Sequence, residues 1–405
     1  MSAPQAAPIS REERAARARQ VFEHLPEPLD ALVLFDDQYI FYYSGFAFFP
    51  TERPVALIIG ADGHRTLFVP RLEREHAQQT AEAEEVADYP EFPGRPHPMQ
   101  QLAALLERRG LASARLGADH DGYPSVMGYD GPALSEALGA VQLGAVRVVR
   151  VPRALDHQMS LKSEAEVALI RESARWGAHA HRLLQAYTRP GESEHAAEGR
   201  ATREATDAMA AALGPSYRGQ NKWISGAVAL YRGQIGPYSA LPHAMTTGAT
   251  FQPGDTLVTG AGAAVWGYVS ELERTMFLGE PGAEQRRFFG HMLNLQDVAF
   301  EALKPGATCA SVDEAVRAYY QREGLQAHWR HHVGHGLGQR IHESPFLDFG
   351  DDRVLETGMV LSVEPGLYVP GLGGFRHSDT VLITSGGIEL LTDYPRDLDS
   401  LTLPA

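Results

Sequence analysis

Apolar residues follow two rhythms along the 405-residue chain. The first part carries short apolar runs at Ala31 to Phe35, Val55 to Ile59 and Thr66 to Val69, with Pro54, Gly60 and Asp62-Gly63 between them as turn signals. Leu102, Leu105 and Leu106 recur at helical spacing within Met99 to Arg108, and Arg115 to Gly117 and Val146 to Val149 read as further strands. Ser10-Arg-Glu-Glu13 fits a capping box opening a helix that runs to about Glu23. Alternating strands and helices predict a small self-contained α/β domain over residues 1–155.

The rhythm changes after Pro152 to Ser160, which reads as a connection. Ser163-Glu-Ala-Glu166 is a second capping box, and Val167, Ile170 and Ala174 stripe one face of the helix it opens. Further long helices are predicted at Glu194 to Leu213 and Glu284 to Leu303, the latter stopped by Pro305-Gly306, and Ser311-Val-Asp-Glu314 opens a fourth. Strand patterns lie at Thr256 to Thr259, Tyr268 to Leu278, Met359 to Glu364 and Arg376 to Thr384. Long helices among hairpin-like strands predict an α+β domain with an antiparallel sheet over residues 160–405.

Composition narrows the function. The net charge of -15 argues against nucleic acid or an anionic membrane as partner, since both need a positive surface. Cys309 is the single cysteine, so an internal disulfide or a cysteine zinc cluster is excluded. No apolar run approaches the ~20 residues of a membrane span, and the Ala/Arg/Glu-rich start does not read as a signal segment. A cytoplasmic enzyme is the expectation.

Candidate chemistry centres on Tyr268-Val-Ser-Glu-Leu-Glu-Arg-Thr275. On a strand, Glu271, Glu273 and Thr275 share one face and Ser270, Leu272 and Arg274 the other. Two carboxylates on one buried face need a cation, a histidine or a substrate to offset them. Downstream lie Gly334-His335-Gly336-Leu337-Gly338, His342-Glu343, Glu364-Pro365-Gly366 and Gly373-Gly374-Phe375-Arg376-His377-Ser378-Asp379, and upstream lie Pro242-His243 and Gly254-Asp255. Glycines framing one histidine suggest close backbone approach to a ligand.

In this order the motifs resemble the family of prolidase, aminopeptidase P, methionine aminopeptidase and creatinase, which has the pita-bread fold. The resemblance runs from about Leu161 to Thr384; the N-terminal part is similar to the smaller domain of prolidases by position more than by motif. It implies hydrolysis of a C–N bond in a dipeptide or similar small molecule, and a homodimer. Two-metal members hold their ions with two Asp, one His and two Glu. Those positions fall here on Gly260, Glu271, His335, Glu364 and Ser378, so two ligands are absent and one is lengthened. On a regular strand His377 points away from Ser378 and cannot stand in for it.

Two routes follow from the resemblance. In one, Glu271, His335 and Glu364 hold at most one divalent ion, Zn or Mn, with Glu364 or Glu273 as proton acceptor, His243 facing the oxyanion, and His342 with Arg376 fixing a substrate carboxylate. In the other, no metal is bound. Glu271-Leu-Glu-Arg-Thr-Met-Phe-Leu278 is similar to creatinase, which implies that Glu273 and Glu364 bind a cationic substrate while His243 moves protons. A catalytically inactive, ligand-binding relative is a third reading. Loops such as Tyr42 to Pro50 are expected to close the pocket.

Overall fold

A computed structural model describes residues 7–111, 114–124, 127–140 and 147–405, and these fall into two compact units, Ile9–Met159 and Ser160–Ala405. In the first, six strands form one sheet in the order Glu85–Tyr89, Arg65–Pro70, Ala56–Gly60, Ala31–Leu34, Arg115–Ala118, Arg147–Arg150. Alternate residues of the central strand enter different cores. Val33 joins Ile58, Leu102 and Leu106 on one face, while Leu32 and Leu34 join Leu57 and Leu155 on the other. A strand covered on both faces must be apolar throughout, which is why Ala31–Leu34 reads as an unbroken run.

Several expectations need correction here. Pro152 to Ser160 is a helix, Pro152–Ser160. Val151, Leu155 and Met159, four apart, bury against the sheet, and the Asp156 and Gln158 side chains accept hydrogen bonds from Tyr39 and Tyr43 at 2.6 Å each. Tyr42 is not in a loop but in the helix Asp37–Ser44, buried with Tyr43. Val146 lies outside the described residues, and the strand predicted there occupies Arg147–Arg150.

The second unit is built on an antiparallel sheet in the order Glu343–Leu347, Gly334–Gly336, Val360–Val363, Ser378–Thr384, Leu272–Glu273, Gly260–Ala263, Ala227–Leu230, with Gly387–Leu390 paired to Ser378–Thr384. The helix Glu164–Tyr187 lies close on it: a Cβ at Gly177 would sit 2.9 Å from the Gly262 Cα. Glu194–Leu213, Ala283–Ala302 and Cys309–Arg322 are the other long helices. The last begins earlier than its sequence suggests, because Thr308, not Ser311, is the N-cap, its hydroxyl accepting from Ser311 N at 3.1 Å.

The strand expected over Tyr268 to Leu278 is divided. Leu272–Glu273 belongs to the large sheet and Thr275–Leu278 to a small one with Thr256–Val258 and Thr402–Leu403. The neighbouring chain breaks alongside, at Thr259. The Thr259 hydroxyl accepts from Arg274 N at 3.1 Å and lies 3.0 Å from Arg274 O, so the two breaks are tied together. Arg274 then fixes the site's floor. Fully buried, it donates to the carbonyls of Glu273, Ser378, Tyr394 and Pro395 and to Asp379 Oδ1 at 2.8 Å. Thr392 and Gln296 satisfy the rest of Asp379, at 2.6 and 3.0 Å. A buried charge pair is tolerable only when hydrogen-bonded this completely.

Candidate functional site

Glu271 and Glu273 do share a face, and the sheet brings His335, from Gly334–Gly336, and Glu364, just after Val360–Val363, to it. Oxygens of Glu271, Glu273 and Glu364 lie within 4.8 Å of one another. His335 is fully buried; its Nε2 stands 3.1 Å from Glu364 Oε1 and 3.9 Å from Glu271 Oε2. Its Nδ1 is 3.0 Å from Gly336 O, to which it donates, so Nε2 is the nitrogen that faces the carboxylates. Ser378 Oγ donates to Glu271 Oε1 at 2.8 Å. The serine thus supports the one carboxylate beside it.

The glycines around His335 have a different purpose from the one expected. A Cβ on Gly334 would lie 2.0 Å from Ser362 O, and one on Gly336 2.4 Å from Ser344 O. The close approach is to the two flanking strands, not to a ligand. Glu343 is also structural: it takes Lys162 Nζ at 2.8 Å and the backbone N–H groups of Gln339 and Arg340 at 2.7 and 2.9 Å, closing the turn before His342.

Arg376 requires a revision. It is 3% exposed, and its guanidinium is turned inward. Nη2 donates to Glu273 Oε1 at 2.7 Å, Nε pairs closely with Glu273 Oε2, and Nη1 donates to the Tyr368 hydroxyl at 3.0 Å. A fork committed in this way does not grip a substrate carboxylate. Glu273 is equally committed, since Arg232 Nη2 donates to the same Oε1 at 2.9 Å. The assignment of Glu273 as proton acceptor, or as receptor for a cationic substrate, is displaced by the protein's own two guanidinium groups. Gly260 opens toward this pair: a Cβ there would meet Glu273 Oε1 at 3.7 Å.

The histidines divide by environment. His342 is exposed and stacks on His335 with ring centroids 4.0 Å apart. Burial of part of the ring and the neighbouring His335 charge hold it down to about 4. His243 is exposed and near enough for its charge to bear on His342. His377 points away from the site, its ring edge-on to Phe289 at 5.3 Å, and burial holds it well below its ordinary value.

Sequence reasoning missed four participants. Tyr368 carries the Arg376 contact to His331, whose Nε2 is 2.8 Å from the Tyr368 hydroxyl. His332 sits 5.9 Å from His335, ring to ring, and its ligand atom groups with those of His335 and Glu364 within 4.8 Å. Arg232 is the fourth. The pair His331-His332, just before Gly-His-Gly, was a visible signal; Tyr368 and Arg232 left none.

Electrostatics follow from the contacts. Although burial opposes it, pairing with Glu364 and the charge on Glu271 raise the His335 imidazole to about 9. Glu364 is held well below the carboxylate range by His335 and Arg376 despite burial, whereas burial and its two acidic neighbours push Glu271 up to about 7. The donor set also suits a divalent ion. His335 Nε2 is buried yet has no hydrogen bond, because its contacts with the two carboxylates lack hydrogen-bond geometry. Once deprotonated, this nitrogen would converge with two carboxylates, the arrangement a cation requires.

Comparison with known proteins gives the family. A family described as "Metallopeptidase family M24" matches residues 168–385, more than half of the chain. The chain belongs to that family. A family described as "Creatinase/Prolidase N-terminal domain" matches residues 14–149. Among curated relatives, "Putative dipeptidase YkvY" of Bacillus subtilis (strain 168) is 28% identical over 359 residues, covering 89% of this chain and 92% of the relative. Among solved structures, dipeptidase PepE from Mycobacterium ulcerans is 27% identical with a TM-score of 0.78, covering 98% of this chain and 100% of that one. An Xaa-Pro dipeptidase from Bacillus anthracis, 24% identical with a TM-score of 0.76 and covering 97% and 100%, shows the same fold. The expected pita-bread architecture and prolidase-type hydrolase class are therefore those of an M24 family member. Among the described residues, no helix is long and apolar enough to cross a membrane.

Proposed function

We propose that this chain is an Xaa-Pro dipeptidase-like hydrolase that works with one divalent ion, Zn or Mn, held by Glu271, His335 and Glu364. The buried His335 Nε2, 3.1 Å from Glu364 and 3.9 Å from Glu271, carries the reading. The retained set is one histidine and two carboxylates, and the proximity of His332 and His342, each within 4.8 Å of members of the set, supports either as a second imidazole. Two imidazoles with carboxylate suit zinc; the carboxylate share also admits manganese. A bound ion supplies Lewis acidity, polarising the scissile carbonyl and acidifying water.

The chain's own groups supply the remainder. Water adds to the amide carbon, and Glu364 Oε2, the oxygen turned away from His335, takes its proton. Glu273 is already engaged by two guanidinium groups, which leaves Glu364 for this task. His243 and His342, at the exposed side, donate to the oxygen as it gains charge, a contact worth roughly 3 kcal/mol in other hydrolases. The proton passes to the leaving nitrogen as the C–N bond breaks.

A metal-free, creatinase-like reaction on a cationic substrate is the second reading. It is disfavoured because the carboxylate assigned to that cation already holds Arg376 and Arg232. The resemblance also supports a homodimer, and the composition a cytoplasmic location, which sedimentation velocity and cell fractionation test.

The deciding experiment measures hydrolysis of an Xaa-Pro dipeptide panel by metal-stripped protein with and without Zn or Mn, alongside metal analysis. Turnover restored by about one ion per chain, and lost in His335→Gln together with the ion, is expected. Full turnover in the presence of chelator, or two tightly held ions, refutes the mechanism; no turnover on any dipeptide refutes the substrate class.

A further inference from the structure

Arg232 sits where ordinary structural needs do not put an arginine. Its φ is +54°, a left-handed conformation that a bulky residue adopts only when its surroundings impose it. Two glutamates one turn apart on the helix Glu194–Leu213 impose it. Glu198 accepts from Tyr231 N and faces the Arg232 N–H, and Glu194, fully buried, accepts from Gly233 N and from Gly248 N at 3.1 Å. This turn points the Arg232 side chain at Glu273. Nη2 makes the 2.9 Å bond to Oε1, with a long 3.4 Å contact to Gln234.

The guanidinium is not satisfied by these contacts. Nε is buried without a hydrogen-bond partner, while the side chain as a whole is 41% exposed. Charge is uneven as well. Arg376 has Glu273 against it and Glu364 Oε2 at 3.8 Å, whereas Arg232 has only a share of Glu273. Arg232, the accessible member, is therefore the less compensated of the two guanidinium groups.

We propose that Arg232 receives the free carboxylate of the substrate and thereby selects dipeptides. This rests on the dipeptidase reading above, and it fills the role that the buried Arg376 cannot. A dipeptide's terminal carboxylate lies about one residue step, ~3.8 Å, beyond the scissile bond. Arg232 is one carboxylate away from the Glu271–Glu364 cluster, so a single ligand can span both. Peptides extended at the C-terminus carry that charge past the arginine, and those ended by an amide offer none.

The test compares L-proline with L-prolinamide as ligands, by thermal shift and calorimetry, in wild type, Arg232→Met and Arg232→Lys. It also compares kcat and KM for an Xaa-Pro dipeptide and its amide. Wild type is expected to prefer the carboxylate by about 10- to 100-fold, the worth of a charge-assisted hydrogen bond. R232M is expected to lose that preference through KM rather than kcat, and R232K to recover part of it. An arginine that merely props up Glu273 would lower kcat or stability while leaving the carboxylate-to-amide ratio intact. That result, or a wild type with no carboxylate preference, overturns the proposal. Failure of the dipeptidase reading shows separately, as absent turnover in a wild type that still prefers proline.

Discussion

Replacing Glu273 by glutamine removes one charge and almost no volume from the most crowded polar contact in the chain. Glu273 is 4% exposed and Arg376 3%, so neither can turn to water for compensation. In the variant, the amide can still accept one bond, but its NH2 must face an Nε or Nη donor that now lacks an acceptor. Removing one partner of a buried ion pair costs about 3–5 kcal/mol. Glu364 Oε2, 3.8 Å from Arg376 Nε, offers partial relief, so the lower end, about 3 kcal/mol, is expected. All four tryptophans, Trp176, Trp223, Trp266 and Trp329, lie in the second unit, so their fluorescence in urea follows this unit directly. A cycle with Arg376→Gln and the double variant should show coupling of about 2 kcal/mol, because removing both partners leaves no stranded charge. Metal content should not change, since Glu273 is not among the proposed ligands. A variant within about 0.5 kcal/mol of wild type, or an uncoupled cycle, would mean that the pair does not exist in solution; loss of the ion would make Glu273 a ligand after all.

Arg274→Lys should destabilise the second unit by about 3–5 kcal/mol in the same assay, because an ammonium cannot reach four carbonyls and Asp379 at once. Gly334→Ala should prevent soluble folding, its Cβ falling 2.0 Å from Ser362 O, while Gly260→Ala, with nothing nearer than 3.7 Å, should stay within about 1 kcal/mol of wild type by urea melt. Acid should weaken the fold through His181 and His377. Burial and nearby arginine charge lower His181 to about 3 and His377 well below its ordinary value, so the unfolded chain binds more protons below pH ~6.5 and stability falls with pH from there. At pH 5 each should cost about 2 kcal/mol relative to neutral pH, and a His377→Leu variant with an unchanged pH slope would contradict the assignment.

The chemistry-bearing residues were legible because their motifs are local. Glu271 and Glu273 fall on one face by strand period alone, and the order of glycine, histidine and glutamate motifs was enough to bring His335 and Glu364 to them. What could not be read was compensation. Arg376 and Arg232 lie 144 residues apart, yet both end on one oxygen of Glu273, and nothing in either segment announces it. The glycines misled for a related reason: an absent Cβ records that something comes close, not what, and here it was Ser362 O and Ser344 O. The helix Pro152–Ser160 was missed although Val151, Leu155 and Met159 keep helical spacing, because a proline and a charge at its start resemble a linker. Arg274 was treated as part of a motif and turned out to hold five acceptors together, a role visible only once the strands are placed.

Carboxylates crowded in one pocket were expected to require a cation, a histidine or a substrate to offset them. The structure supplies their counter-charges from within. His335 stands against Glu364 and Glu271, Arg376 against Glu273 and Glu364, and Arg232 against Glu273 from the accessible side. Three potential cations therefore face three carboxylates, and the arginine pair already neutralises the carboxylate nearest Gly260. Placing an aspartate at Gly260 would set another negative charge beside Glu273, while a glutamate at Ser378 would crowd Glu271, which now receives a hydroxyl bond there. The small residues at these positions and the glutamate–arginine pair are thus mutually consistent. Such a pocket has no need of a cationic substrate. An ion bound by Glu271, His335 and Glu364 would release the imidazole from its role as counter-charge, and Arg232, the less compensated guanidinium, would still face whatever enters. That asymmetry, acidic ligands at one end and an under-compensated guanidinium at the other, favours a substrate that is itself polar in the same sense, with a carbonyl toward the acids and a carboxylate toward the arginine.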